Sequence, residues 1–192
     1  MTVGQPERAR RAPDIRVGSA TDGLTPISVA ERPLGAGRRQ WAALVAVVLA
    51  AVTADQATKH VVTASLAVGE RVGIVGPFSI HHVQNSGIAF GLFATATSIV
   101  IFLTVLAVIW MLTFFARSGA RHPVLPVALG LILGGSISNL VDRVRLGYVT
   151  DFLDIGPWPA FNLADSFIVA GVAVLVATLM AVDRPARPPA RP

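Results

Sequence analysis

The chain has 192 residues, of which 53% are hydrophobic and only 14% charged. With a mean hydropathy of +0.64 it is too apolar for an ordinary soluble domain and reads as a polytopic membrane protein. The absence of cysteine excludes disulfides, thiolate catalysis and cysteine-ligated metal sites, and the formal charge of +5 sits mostly in tails and short loops, which indicates topology and not nucleic-acid binding.

From Met1 to about Arg39 the chain is rich in Arg, Pro, Gly and Ser without helical or strand periodicity, the composition of a disordered extension. The first apolar run begins only at Trp41, and no small-residue cleavage site follows it before Asp55, so an uncleaved first anchor is expected in place of a signal peptide. Four apolar stretches, about 41–66, 95–115, 124–141 and 163–182, each approach the ~20 residues a helix needs to cross a bilayer core. The expected fold is therefore an all-α polytopic membrane protein with four transmembrane helices. The first stretch ends on a polar segment, Asp55, Gln56, Lys59 and His60, which is expected at a membrane surface.

Between the first two spans, the alternating piece from Phe78 to Val83 is bounded by Gly76-Pro77 and Asn85-Ser86-Gly87. This predicts short strands and turns, a small extracytoplasmic β-rich element. A second connection outside the bilayer runs from Arg143 to Ala160, broken by Gly147, Gly156, Pro157 and Pro159, and residues 184–192 read as a solvated tail. With four spans the two termini and the loop carrying Arg117 and Arg121 share one side. They hold twelve Lys and Arg against four on the other, Lys59, Arg71, Arg143 and Arg145, so both termini are expected in the cytoplasm. Asp55, Asp142 and Asp165 then fall toward the external face.

Those acids are the chemistry-bearing residues. An ionisable group in a membrane protein is costly to keep and is a functional candidate by default. Asp142 and Asp165 each follow an asparagine by three residues, in Asn139-Leu-Val-Asp142 and Asn162-Leu-Ala-Asp165. On a helix that spacing puts amide and carboxylate on one face. Two carboxyl groups held close share a proton, which supplies the ionised base and protonated acid that peptide hydrolysis needs. A bland reading stands beside this one: Asp165 as a first-turn acid favoured by the helix dipole, Asp142 as a surface partner of Arg143. Asp55 and Lys59, at i and i+4, read as an interfacial salt bridge, and Arg143 as either a charge partner or a headgroup anchor. Asn85, Gly87 and Gly91 could form only a turn. Gly130, Gly134 and Gly135 suit close helix packing. His81 and His82 read as solvated strand residues, and with His60 and His122 they lack the spacing of a metal site, so no metal or other cofactor is expected.

The chain resembles lipoprotein signal peptidase, the type II signal peptidase of bacteria, from about Trp41 to Val182. The resemblance rests on Asp55-Gln56-x-x-Lys59, Asn85-x-Gly87-x-Ala89-Phe90-Gly91, Gly134-Gly135-x-x-x-Asn139-x-x-Asp142-Arg143, Asp151-Phe152 and Phe161-Asn162-x-Ala164-Asp165. It implies an aspartic endopeptidase of the cytoplasmic membrane with Asp142 and Asp165 as catalytic dyad. Asp55, Lys59, Asn85, Asn139, Arg143 and Asn162 would bind substrate or support the site. The implied substrate is a diacylglyceryl-modified prolipoprotein, cleaved on the N-terminal side of its lipidated cysteine; membrane lipids are the other expected partners, and a monomer is expected. One departure is Ser138, where the family usually has glycine; its hydroxyl is expected to bond helix backbone. The alternatives are a proton- or ion-coupled transporter, whose acids would lie nearer mid-membrane, and a noncatalytic helical scaffold.

Overall fold

The computed structural model describes residues 35–87, 97–119 and 122–182. The expected N-terminal extension up to residue 34, the motif residues Ala89, Phe90 and Gly91, the loop residue Arg121 and the tail from residue 183 lie outside the described residues.

The described chain runs α1 (Arg38–Ser65), β1 (Arg71–Val75), β2 (Phe78–Asn85), α2 (Thr97–Ser118), α3 (Leu125–Leu146), β3 (Val149–Asp154) and α4 (Leu163–Val182). Three helices, α1, α2 and α3, are long and apolar enough to cross a membrane, and α4 carries a shorter apolar run, Leu163–Thr178. The ends of α3 differ from expectation. Hydropathy stops at Val141, but the hydrogen-bonded helix continues through Asp142, Arg143 and Arg145. It ends at Gly147, whose left-handed φ of 83° lets its N–H return to the Arg143 carbonyl. Asp142 therefore sits one turn inside the helix and not at its tip.

Helix α3 is the centre of the bundle, buried on most of its surface, whereas α2 buries only Met111, Phe115 and Ser118. On α1 the buried positions are Leu44, Ala51, Asp55, Lys59 and Val62, one stripe at helical spacing. The apolar half of that stripe joins a core of Leu44, Met111, Phe115, Leu125, Leu129, Ile132 and Leu133, with Trp41 edge-on to Phe115 at 5.0 Å. Asp55 and Lys59 are carried into the packed interior by the same periodicity. Their pairing is thus a buried one, and the expected interfacial exposure is not found: Asp55 is 0% and Lys59 4% exposed.

Glycines set the helix separations, as expected where close packing of small residues holds helices together. A Cβ on Gly134 would lie 2.7 Å from that of Ala51, and one on Gly130 2.8 Å from that of Val47, both on α1. A Cβ on Gly135 would overlap the Ala164 carbonyl oxygen, which is backbone and cannot swing aside. Gly135→Ala is therefore expected to push the start of α4 outward and cost about 1–3 kcal/mol, read as a lower melting temperature of the purified protein together with reduced activity.

Outside the helices the sheet has order β1-β2-β3, antiparallel throughout. The first two strands match the predicted β-rich element. The third was not predicted: its segment reads as a connection because of its glycines and prolines, yet Val149-Thr-Asp-Phe-Leu-Asp154 precedes most of those breakers and is almost wholly buried. β2 puts Asn85 opposite Val149 and Val83 opposite Asp151. His82 is also buried, with Nδ1 at 2.9 Å from the Leu66 carbonyl, so it is not a solvated strand residue. His81 is partly exposed and meets Asp154 together with Arg71.

Candidate active site

Helix α4 begins with a reciprocal cap. Asn162 accepts the Asp165 backbone N–H on its side-chain oxygen at 2.9 Å, and Asp165 accepts the Asn162 N–H at 3.3 Å. This is the bland role anticipated for a first-turn acid, and Asp165 fills it. It also does more: its other oxygen accepts a hydrogen bond from the Asn139 side chain at 2.8 Å. A carboxylate at a helix N-terminus is favoured by the unpaired N–H groups there.

Asn162 reaches the second acid of the site. Its side-chain N–H₂ donates to Asp151 Oδ1 at 2.7 Å and to Asn139 Oδ1 at 3.1 Å. The other Asp151 oxygen accepts from Asn85 at 2.9 Å, and Asn85 in turn accepts the Gly87 N–H at 3.0 Å. Arg143 Nη2 donates to the Gly87 carbonyl at 3.1 Å, tying α3 to this turn. Asp151, Asp165, Asn139, Asn85 and Arg143 all line one cavity of about 450 Å³. Its remaining wall is largely apolar, from Val100, Ile168, Val169, Trp158, Pro159 and Phe161.

Asp142 faces elsewhere. It lies on a separate polar cavity of about 140 Å³ with Gln56, Lys59, His60 and Arg145. Its oxygens are occupied by Gln56 Nε2 at 2.7 Å, Lys59 Nζ at 2.8 Å and the Thr150 N–H at 3.3 Å. Lys59 also meets Asp55 at 2.7 Å and Asn139 Oδ1 at 2.9 Å. Asp55 spends its second oxygen on the Ala164 N–H at 2.8 Å, one residue before Asp165. Of the expected site residues, then, Asn85, Asn139, Arg143 and Asp165 share the large cavity, with Asn162 fully buried behind Asp151 and Asn139, while Asp55, Lys59 and Asp142 form a buried ionic brace. Asn139 joins the two groups.

Asp151 counts in the sequence only as part of the Asp151-Phe152 motif, with no site role assigned to it. Its signal was an aspartate inside a β-branched and aromatic run, Tyr148 to Leu153, where a strand has no use for a carboxylate. Burial pushes its carboxyl up to about 6, aided by the charge of Asp165 and opposed by the hydrogen bonds from Asn85 and Asn162. Asp154, three residues on, is shifted the other way, held below the usual carboxylate range first by the Gly156 N–H and then by Arg71. For Asp151 the folded state binds its proton more tightly than the unfolded chain. Its contribution to stability is present below an ordinary value of 3.8 and is lost as pH rises through about 6. That difference is on the order of 3 kcal/mol. Melting temperature should therefore decline over this interval in the parent, and the decline should be much smaller in Asp151→Asn.

Three comparisons bear on this arrangement. The sequence family described as Signal peptidase (SPase) II matches residues 47–181. Among curated proteins, the chain is 45% identical over 131 residues to a lipoprotein signal peptidase of Dehalococcoides mccartyi, covering 65% of this chain and 81% of that protein. It is 38% identical over 149 residues to the lipoprotein signal peptidase of Symbiobacterium thermophilum, covering 73% and 97%. Two solved structures, each described as a bacterial membrane enzyme studied by the in meso method, share the fold. The one at 2.3 Å gives a TM-score of 0.70 at 24% identity over 76% of this chain and 95% of that chain. The one at 1.9 Å gives 0.67 at 26% identity over 72% and 93%. The transporter and scaffold alternatives find no support in these likenesses. The chain belongs to the signal peptidase II family of bacterial membrane proteases.

Proposed function

We propose that the chain is an aspartic endopeptidase that removes signal peptides from diacylglyceryl-modified prolipoproteins, with Asp151 and Asp165 as its catalytic pair. The observation that carries this is the shared cavity: Asp151 and Asp165 line one wall-bounded space, whereas Asp142 lines another and is neutralised by Lys59. The dyad expected from the family resemblance is thus revised in one member. Asp165 stays, and Asp142 becomes a support.

In this reading a water lies between the two carboxyl groups. One carboxylate takes its proton as oxygen attacks the scissile carbonyl carbon, while the protonated partner donates to the carbonyl oxygen. Collapse of the tetrahedral intermediate breaks the C–N bond: the departing amine takes the proton gained in the first step, and a hydroxyl of the intermediate returns its proton to the partner carboxylate as the new carboxyl group forms. Asn139 and Asn162 hold the acids in place, and the Arg143 guanidinium on the cavity wall supplies positive charge near the developing oxyanion. The apolar wall suits a substrate that keeps its acyl chains in lipid.

The same reading has four transmembrane helices, both termini in the cytoplasm and the site toward the external face, supported by the excess of Lys and Arg on the terminal side. Exposed Val72, Ile74, Val75 and Phe78 on the first hairpin support contact with membrane lipid. A synthetic precursor peptide with a diacylglyceryl cysteine tests the function. The parent protein should release a product whose mass places the new N-terminus at that cysteine, and should leave the unlipidated peptide uncut. Cleavage at another bond, or indifference to the lipid, would refute the substrate assignment.

A further inference from the structure

Ser138 stands where the family resemblance expects glycine, and its hydroxyl does not bond helix backbone as the sequence suggests. It is fully buried on α3 and donates to Asp55 Oδ2 at 2.7 Å, while accepting from Gln56 Nε2 at 3.0 Å. Each of those partners leads to the site. Asp55 binds the Ala164 N–H at the start of α4 and shares Lys59 with Asp142 and Asn139. Gln56 holds the remaining oxygen of Asp142. Asn139, with its carbonyl fixed by Lys59, can only turn its N–H₂ outward, and that group donates to Asp165.

We infer that Ser138 is a positioning residue for Asp165, its hydroxyl closing a hydrogen-bonded ring through Asp55, Lys59, Asp142 and Gln56 that fixes the Asn139 amide and the first turn of α4. The physical basis is saturation. Lys59 has three acceptors, Asp55, Asp142 and Asn139, and three N–H bonds to satisfy them. The Asp55 oxygen that Lys59 meets also takes the Ser138 proton. Without that second donor Asp55 draws Lys59 toward itself, and the neutral Asn139 is the weakest competitor for it. Its oxygen then keeps only the longer bond from Asn162 Nδ2, at 3.1 Å, and the amide that holds the Asp165 carboxylate is less firmly fixed.

The inference rests on Asp165 being catalytic, and the test keeps the two ideas apart. Ser138→Ala deletes the hydroxyl and keeps Cβ, leaving a gap no larger than the lost oxygen. Ser138→Gly, the residue expected from the resemblance, leaves room for a water to take over part of the bonding. The full chain, purified and given the lipidated precursor peptide, is expected to show kcat in the order Ser, Gly, Ala. Glycine should lower it about threefold and alanine about tenfold or more, the scale of a lost hydrogen bond to a charged group, with KM within twofold of the parent. A side chain that served packing alone would lower the melting temperature without this split between kcat and KM. Parental kcat in Ser138→Gly, or alanine equal to or better than glycine, would overturn the positioning role. If the alanine variant does not fold, the glycine value decides alone. Asp165→Asn, measured alongside, separates failure of this inference from failure of the dyad: an inactive Asp165→Asn beside unchanged Ser138 variants removes only the ring, whereas an active Asp165→Asn removes its premise.

Discussion

Asp151→Asn and Asp165→Asn are each expected to lower turnover of a lipidated precursor by roughly 10²- to 10⁴-fold, the range over which a positioned acid or base contributes to a proton-transfer step. The two groups act as one unit, so the double variant should be no slower than either single one. Asparagine keeps the size of the side chain and its acceptor oxygen toward Asn162 or Asn139, so folding should survive. Asp151→Asn also removes a buried carboxyl whose charge is disfavoured, and near neutral pH it should melt no lower than the parent. Asp142→Asn is expected to behave differently. It removes the negative charge that the buried Lys59 faces and leaves one oxygen where Gln56, Lys59 and the Thr150 N–H use two, so loss of activity should come with a clear drop in melting temperature. Folded Asp151→Asn that cleaves at the parental rate would remove Asp151 from the pair, and a dead Asp142→Asn with unaltered melting temperature would return that place to Asp142.

The helices were legible because apolar runs of bilayer length have few other uses. Their packing partners were legible in part, since Gly130, Gly134 and Gly135 announce close approach without saying to what. Asp165 was found for two reasons that coincide, the capping asparagine three residues earlier and the acid opening an apolar helix. The partner proposed for it here was not legible. Asn139-x-x-Asp142 and Asn162-x-x-Asp165 look like twins, yet the symmetry is only sequential. On α4 the asparagine caps the helix start and the acid faces a cavity, whereas on α3 both lie inside a continuing helix, and the 3.6-residue period delivers Asp142 to Lys59. Asp151 was obscured by its setting, because glycines and prolines around 147–159 read as an irregular connection. Only pairing with β2 shows that the strand is buried and aims this acid into the cavity. The identity of the brace was hidden for a similar reason: an i, i+4 pair at the polar end of a span reads as interfacial until α3 is packed over it.

Lys59 is the residue whose loss should damage the fold most. Its ammonium is nearly inaccessible and lies against two carboxylates, both themselves buried. Removing one partner of such a group strands the others in a medium that cannot solvate them, which costs about 3–5 kcal/mol, whereas exchanging a whole buried ionic group for neutral ones can cost little. Lys59→Met is therefore expected to lower the melting temperature by on the order of 10 °C, and to reduce cleavage strongly because Asn139 loses the shorter, charged one of its two anchors. The asymmetry gives a sharper test. Adding Asp55→Asn and Asp142→Asn to Lys59→Met removes the stranded charges, so the triple variant should melt well above Lys59→Met alone. Activity should not return with stability, since the Asn139 amide that holds Asp165 would still lack its charged anchor and keep only the bond from Asn162. A triple variant no more stable than Lys59→Met would show that Lys59 serves mainly as packing volume, and recovery of turnover would separate the brace from the catalytic pair.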